Sequence, residues 1–241
     1  MESKEIMDYT IKGFNPSTFI DWEGKLSSVI YLPGCNLRCP FCHSSSLVTG
    51  DDSLPDVPFQ DIKDFFEEKR GWIDGVVIGG GEPTLHKNLC ALLTDIKKEG
   101  LLVKLDTNGT NPDVIRDLID YKLVDYIAMD IKAPLDQQKY EKAVGGAVDI
   151  NKIRESIAIL LASDIDYEFR TTVVPAFINR EDILSISSTI GGAKRFVLQQ
   201  FNHKDTLDPE MLKVKPYNPD ELKVLAKIGQ EHVKSCFVRG A

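Results

Sequence analysis

Three cysteines, Cys35, Cys39 and Cys42 in the stretch YLPGCNLRCPFCHS (31–44), constrain this chain more than any other feature. Their C-x3-C-x2-C spacing lets three thiolates hold three corners of a [4Fe–4S] cube, and such clusters usually take four cysteine ligands. The other two cysteines are remote: Cys90 falls inside an expected helix and Cys236 near the carboxyl end, positions that suit packing or no particular role. A trio without a fourth implies an iron left open to something other than protein. Structural zinc is a poorer fit, because it wants four ligands, usually as two C-x2-C pairs. A second pair is missing, and His43 is awkwardly placed beside Cys42. An odd cysteine count with three clustered does not make a disulfide framework, so a reducing cytoplasm is the expected setting.

Around this loop, short apolar β-branched runs alternate with amphipathic segments. Strands are expected in 27–33, 75–84, 101–110, 124–134, 165–175 and 194–202. Helices are expected over 58–70, 87–100, 111–123, 151–163, 179–190 and 218–235, with a short CFV strand after the last. Residues 44–57, rich in Ser, Gly, Asp and Pro, read as a loop. No linker is long or biased enough to split the chain. One domain over 1–241 is expected, with a polar lead-in at 1–25, a core over about 15–203 and a capping helix at 218–235. Such alternation implies a parallel sheet with right-handed crossovers. Six units are too few to close an eight-unit barrel, so the expected fold is α/β, an open, partial (β/α)6 TIM-like barrel.

Composition narrows the function classes. A hydrophobic share of 42% supports a sizeable core, and a formal charge of −8 makes the surface a poor generic partner for nucleic acid or anionic membrane. No apolar run approaches a membrane span, and the opening MESKEIMDYT has no apolar export signal.

In barrels of this kind the active site gathers at the carboxyl ends of the strands, and the chemically loaded segments all fall there. The glycines of Gly79-Gly80-Gly81-Glu82-Pro83 permit close backbone approach. The segment is not a phosphate loop, since no G-K-[ST] follows; a tight turn with Glu82 favoured at a helix start also accounts for it. Asp106-Thr107-Asn108-Gly109 makes an ordinary turn that places Asp106 at a strand end. Asp130 and Lys132, two apart, face the same way in a regular strand. Arg170, in the otherwise apolar FRTTVVP, needs a carboxylate partner, for which Asp130 is a candidate. His203 follows the sixth strand.

With these residues in place, the chain resembles the radical S-adenosylmethionine (SAM) superfamily. Within it, the chain looks most like the activating enzymes of glycyl-radical enzymes, especially those of anaerobic ribonucleotide reductase and pyruvate formate-lyase. The resemblance runs from about Gly13 to His203 and is carried by FIDWEGKLSSVIYLPGCNLRCPFCH, GGGEPT, LDTNG, MDIKAP, FRTTVVP and FNH. It implies a [4Fe–4S] cluster on Cys35, Cys39 and Cys42, with SAM on the open iron. It implies adenine beside Phe41 and against the backbone of Phe41, Cys42 and His43. By the same resemblance Gly80, Gly81 and Glu82 sit at the methionine ammonium. Asp106, Asp130, Ile131, Lys132, Arg170 and His203 are further cofactor-binding positions, Lys132 and Arg170 being suited to the methionine carboxylate. Asp106, Thr107 and Asp130 are implied as a monovalent-cation site.

Asp21 in IDWEG aligns with a family acid that holds the partner's glycyl loop, although Glu23 replaces the usual proline. The implied reaction is reductive cleavage of SAM to a 5′-deoxyadenosyl radical, which takes hydrogen from a glycine of a partner glycyl-radical enzyme. The implied electron donor is flavodoxin or ferredoxin. Two other readings stay open: a small-molecule enzyme such as a 7-carboxy-7-deazaguanine synthase, and a non-catalytic iron–sulfur or zinc protein.

Overall fold

A computed structural model describes residues 9–49 and 53–240. The opening MESKEIMD, read above as part of a polar lead-in without an export signal, lies outside the described residues, as do positions 50–52 of the expected loop. One eight-stranded sheet carries the chain, its strands in sequence order: β1 (Gly13–Thr18), β2 (Ser27–Leu32), β3 (Gly75–Gly80), β4 (Leu102–Thr107), β5 (Tyr126–Asp130), β6 (Asp166–Val173), β7 (Phe196–Gln200) and β8 (Cys236–Arg239). From β2 to β8 every pairing is parallel.

The six expected strands are β2 to β7, and the CFV strand is β8. The polar lead-in hides one more strand, β1, which pairs antiparallel with β2. Its sequence, GFNPST, sets Gly, Asn and Pro, which are depleted in strands, among Phe and Thr, and the pairing register shifts between Asn15 and Thr18, around Pro16, as expected where a proline cannot join the ladder.

The helices are α1 (Ser45–Thr49), α2 (Phe59–Glu68), α3 (Leu89–Lys98), α4 (Pro112–Asp120), α5 (Gln137–Val144), α6 (Ile150–Ala162), α7 (Arg180–Thr189) and α8 (Pro219–Gly229). None among the described residues is long and apolar enough to cross a membrane. Two were not expected: α1, within the expected loop, and α5. The last helix is shorter than its pattern suggested. It stops at Gly229 because Gln230 turns the chain: its Nε2 donates to the carbonyls of Val233 and Lys234, and its Oε1 accepts from Cys236 N, which launches β8.

Strand alternation gives the sheet two different faces. Val76, Ile78, Val103, Leu105, Ile127, Met129, Phe169, Phe196 and Leu198 point outward into the main core, under Ile62, Leu93, Ile96, Ile115, Leu118, Ile157 and Ile183 of the helices. The inner face begins with a small apolar plug of Trp22, Val29, Val77, Tyr126 and Ala128. Above that plug it turns polar and charged. The sheet curls around this interior: Tyr31 of β2 and Gln199 of β7 line one cleft, although flat strands five apart would stand about 24 Å from each other. No pairing joins β1 to β8, so the barrel is open.

Candidate active site

The cysteine loop follows β2 and is supported from three directions. Gly34 N donates to Leu47 O of α1 at 2.8 Å, and Arg38 N to Val144 O at the end of α5 at 2.9 Å. Gly145, which caps α5 at φ 71°, leaves no room for a side chain, because an added Cβ would stand 2.2 Å from Arg38 O. From the β3 end, Gly81 N donates to Leu32 O and Glu82 N to Gly34 O, both at 2.8 Å.

These contacts change the account of the glycines. A Cβ on Gly80 would meet Leu32 O at 2.5 Å, and one on Gly81 would meet Gly34 O at 1.8 Å. Both therefore serve chain-to-chain approach. Gly79 alone keeps an open side, its nearest neighbour being Asp106 Cβ at 3.8 Å.

Glu82 is wholly buried and faces protein on both oxygens. Its Oε1 accepts from Thr84 N, Thr84 Oγ1 and Thr107 Oγ1, and its Oε2 accepts from Asn108 N at 2.6 Å. Burial pushes its carboxyl up, and the bonds from Thr84, Asn108 and Thr107 oppose that. The residue thus staples the β3 loop to the β4 loop.

A cleft of about 410 Å³ opens at the carboxyl ends of the strands. Cys35, Cys39 and Cys42 all border it, with Phe41, His43, Gly79, Gly80, Gly81, Asp106, Thr107, Asp130, Lys132 and Arg170. Phe41 is buried and packs on Phe177, ring centroids 5.7 Å apart. Burial pushes the Cys39 thiol up to about 12, against the pull of Lys132, and raises Cys35 too. A thiol that binds metal gives up its proton, so these thiols would release protons if they took a metal. Asn108 Nδ2 points at Cys35 Sγ, 3.8 Å away, and bonds Asn36 Oδ1 at 2.9 Å.

Facing the cysteines is a row of alternating charges. Lys132 Nζ pairs with Asp130 Oδ2 at 2.8 Å, Asp130 Oδ1 with Arg170 Nε at 2.8 Å, and Arg170 Nη1 with Asp106 Oδ2 at 2.7 Å. Burial pushes the Asp130 carboxyl up, but the Arg170 and Lys132 cations outweigh it and hold it well below the usual carboxylate range. A depressed native pKa contributes stability that is full above the unfolded carboxylate value and fades as pH falls toward the native one. Asp130→Asn leaves two buried cations short of a partner and is expected to cost about 3–5 kcal/mol near neutral pH. Denaturant unfolding of wild type and variant across pH 3–8 checks this. The gap should be constant above about pH 5 and narrow below about pH 4.

Two expected residues lie off the cleft wall. Ile131 is core, its N donating to Arg170 O and its carbonyl accepting from Thr171 Oγ1. His203 is half-buried beyond Phe201 and Asn202, which line the cleft in its stead. The three residues of the implied cation site do not converge: Arg170 lies between Asp106 and Asp130, and Thr107 Oγ1 is bonded to Glu82. Among the described residues, no three His, Cys, Asp or Glu side chains gather on a single ion. Cys90 is exposed on α3 and Cys236 half-buried in β8.

The reading of the sequence missed Asn108, Tyr31, Gln199 and Gln200, all on the cleft. The adjacent glutamines, ending an apolar strand, were the available signal. Asp21 lines the cleft from its far end, in the β1–β2 turn at the amino ends of the parallel strands, along with Val29 and Val77.

Comparison with known proteins matches this geometry. A Methanocaldococcus jannaschii protein named as a candidate glycyl-radical enzyme activating enzyme is 36% identical over 238 residues, 97% of each chain. A 7-carboxy-7-deazaguanine synthase of Hyperthermus butylicus is 36% identical over 110 residues, 45% of this chain and 43% of its own. Among solved structures, Streptococcus suis SuiB bound to SAM superposes with a TM-score of 0.66 at 16% identity. It covers 88% of this chain, which spans about half (52%) of SuiB, so the likeness is one of fold. The Radical SAM superfamily model matches residues 29–189, from β2 through α7. With its cysteine trio, strand-end charges and open parallel barrel, the chain belongs to the radical SAM superfamily and is an enzyme of that family, whose cofactors are a [4Fe–4S] cluster and SAM.

Proposed function

We propose that this chain activates a glycyl-radical enzyme by removing a hydrogen atom from a glycine Cα of that partner. The observation that carries the proposal is 36% identity over 97% of the chain to the candidate activating enzyme, against deazaguanine synthases that match 45% of the chain at 36% identity or 79% of it at only 22%. The whole chain works as one unit in this reading, in a reducing cytoplasm, with flavodoxin or ferredoxin as electron donor.

The residues suit the cofactors. Three thiols border one cleft, and Gly79 gives it a wall that a side chain would fill. Cys35, Cys39 and Cys42 would hold three irons, leaving the fourth for the amino acid end of SAM. When bound and reduced, cluster and SAM together supply a 5′-deoxyadenosyl radical. The protein's part is placement. Lys132 and Arg170 belong to a row of three cations and two anions once Lys104, 3.4 Å from Asp106 Oδ1, is included, and that excess positive charge favours a carboxylate. Phe41 and the backbone through His43 form the wall suited to adenine. Asp21, at the far end of the cleft, is placed for a segment of the partner.

The test is anaerobic. Reconstituted protein with dithionite and SAM should release 5′-deoxyadenosine, and adding the host's glycyl-radical enzyme should produce a glycyl radical signal by electron paramagnetic resonance. Release of 5′-deoxyadenosine with no glycyl signal, but with turnover of a 7-deazaguanine precursor, would overturn the proposal in favour of the small-molecule reading.

A further inference from the structure

Lys104 is a buried charge that the reading above leaves almost unused. It sits in β4 between Val103 and Leu105, both in the outer core, and turns inward, where it is 2% exposed. Its ammonium donates to the main-chain carbonyl of Asp21, in the turn joining β1 to β2. It also lies 5.7 Å from the centre of the Tyr126 ring. Asp106 Oδ1, 3.4 Å away, is shut off from solvent and has no hydrogen-bond partner, so the Lys104 ion pair is what compensates it.

These contacts make one connected row from the floor of the barrel to its mouth. It runs from the Asp21 carbonyl to Lys104, Asp106, Arg170, Asp130 and Lys132, each charge held by neighbours of opposite sign. Lys132 ends it beside the cysteines. At the other end the turn presents Phe19 and Ile20, 74% and 79% exposed, while Asp21 reaches into the cleft. Buried ion pairs tolerate little displacement, because a member that moves away leaves its neighbour uncompensated in a low-dielectric interior.

We infer that Lys104 is a positioning residue that couples the 19–26 turn to the Lys132 end of the row, so that partner and SAM each strengthen the other's binding. The inference rests on the activating-enzyme reading, in which a glycine-bearing segment meets that turn. A segment seated there restrains the Asp21 carbonyl and, through Lys104, the charges beyond it; SAM then binds a row already restrained. Such coupling is reciprocal.

The test measures binding with the cluster reconstituted and kept oxidised, so that no turnover occurs. SAM is titrated against the full chain, alone and with a saturating synthetic peptide that carries the glycine-bearing segment of the host's glycyl-radical enzyme. In wild type the peptide should lower the SAM Kd about fivefold, and SAM should lower the peptide Kd by the same factor. Lys104→Met should bring that factor close to one, and Lys104→Arg should restore most of it. A merely structural lysine would lower the melting temperature without moving the ratio. A wild-type ratio in Lys104→Met, or a ratio of one in wild type, overturns the inference while peptide binding stands. Failure of the peptide to bind wild type, with no glycyl signal on the intact partner, overturns the activating-enzyme reading and this inference with it.

Discussion

Cys39→Ala is expected to abolish 5′-deoxyadenosine formation while leaving the fold intact. Among the three clustered cysteines, Cys39 is the buried one, and its thiol faces the same cleft as Lys132, Asp130 and Arg170. Losing a partner outside the ligand shell of a metal typically costs roughly 10–100-fold in affinity or activity; removing one of the three proposed protein ligands should cost more. Iron content per chain, the visible absorption of the reconstituted protein and product formation should fall together. Far-ultraviolet circular dichroism should not change, because the loop is held by Gly34, Arg38, Gly81 and Glu82 through backbone bonds that the thiol does not make. Cys90→Ala, on the exposed side of α3, is the control and should behave as wild type. Retention of iron and of product by Cys39→Ala would remove the basis for assigning the cleft.

The second large effect is expected at Gly81. The methyl group of Gly81→Ala would stand 1.8 Å from Gly34 O and 2.6 Å from Gly34 C, both backbone atoms at the root of the cysteine loop. No side chain can rotate away, so the two segments must part. The bond from Glu82 N to Gly34 O lies in the way of that movement. A cost of about 3 kcal/mol is expected for such overpacking, which in a chain of this size corresponds to a fall of roughly 6–12 °C in melting temperature. Gly79→Ala gives the contrast. Its methyl group meets only Asp106 Cβ, at an ordinary 3.8 Å, so the apoprotein should melt as wild type, while SAM binds more weakly to a cleft with a new methyl group on its wall. Scanning calorimetry of the two apoproteins separates them, and equal melting temperatures would refute the close-approach role of Gly81.

How much of this was legible in the sequence depended on whether the signal was local. The strands β2 to β7 were legible because aliphatic and aromatic residues crowd their outward positions, Ile78, Leu105, Met129 and Phe169 among them. The cysteine trio was legible because its ligands come from one loop, and Asp130 with Lys132 because two-residue spacing brings the side chains together. The helix α5 was not. QQKYEKAV is mostly polar, although Asp136 at its start and Gly145 at its end were both usable signals. The separate duties of the three glycines were hidden, since they depend on where Leu32 and Gly34, almost fifty residues earlier, pass by. Glu82 lines the cleft as its motif implies, but its duty as a staple was hidden, because its partners Thr107 and Asn108 come from the next strand end. Lys104 left a trace, a single lysine inside LLVKLDT, but the carbonyl that it holds belongs to another segment.

One pairing at the floor of the barrel bears on how the molecule is made. Glu168 of β6 is 1% exposed and is gripped at both oxygens by Arg239 of β8, at 2.7 and 2.9 Å, with Tyr126 as a further donor. Because synthesis runs from the amino end, Glu168 leaves the ribosome well before its counterion. Until Arg239 arrives, closing the interior would bury a carboxylate that lacks this cation. Inside the barrel, the last strand of the sheet thus supplies a cation for a carboxylate placed 71 residues earlier in the chain.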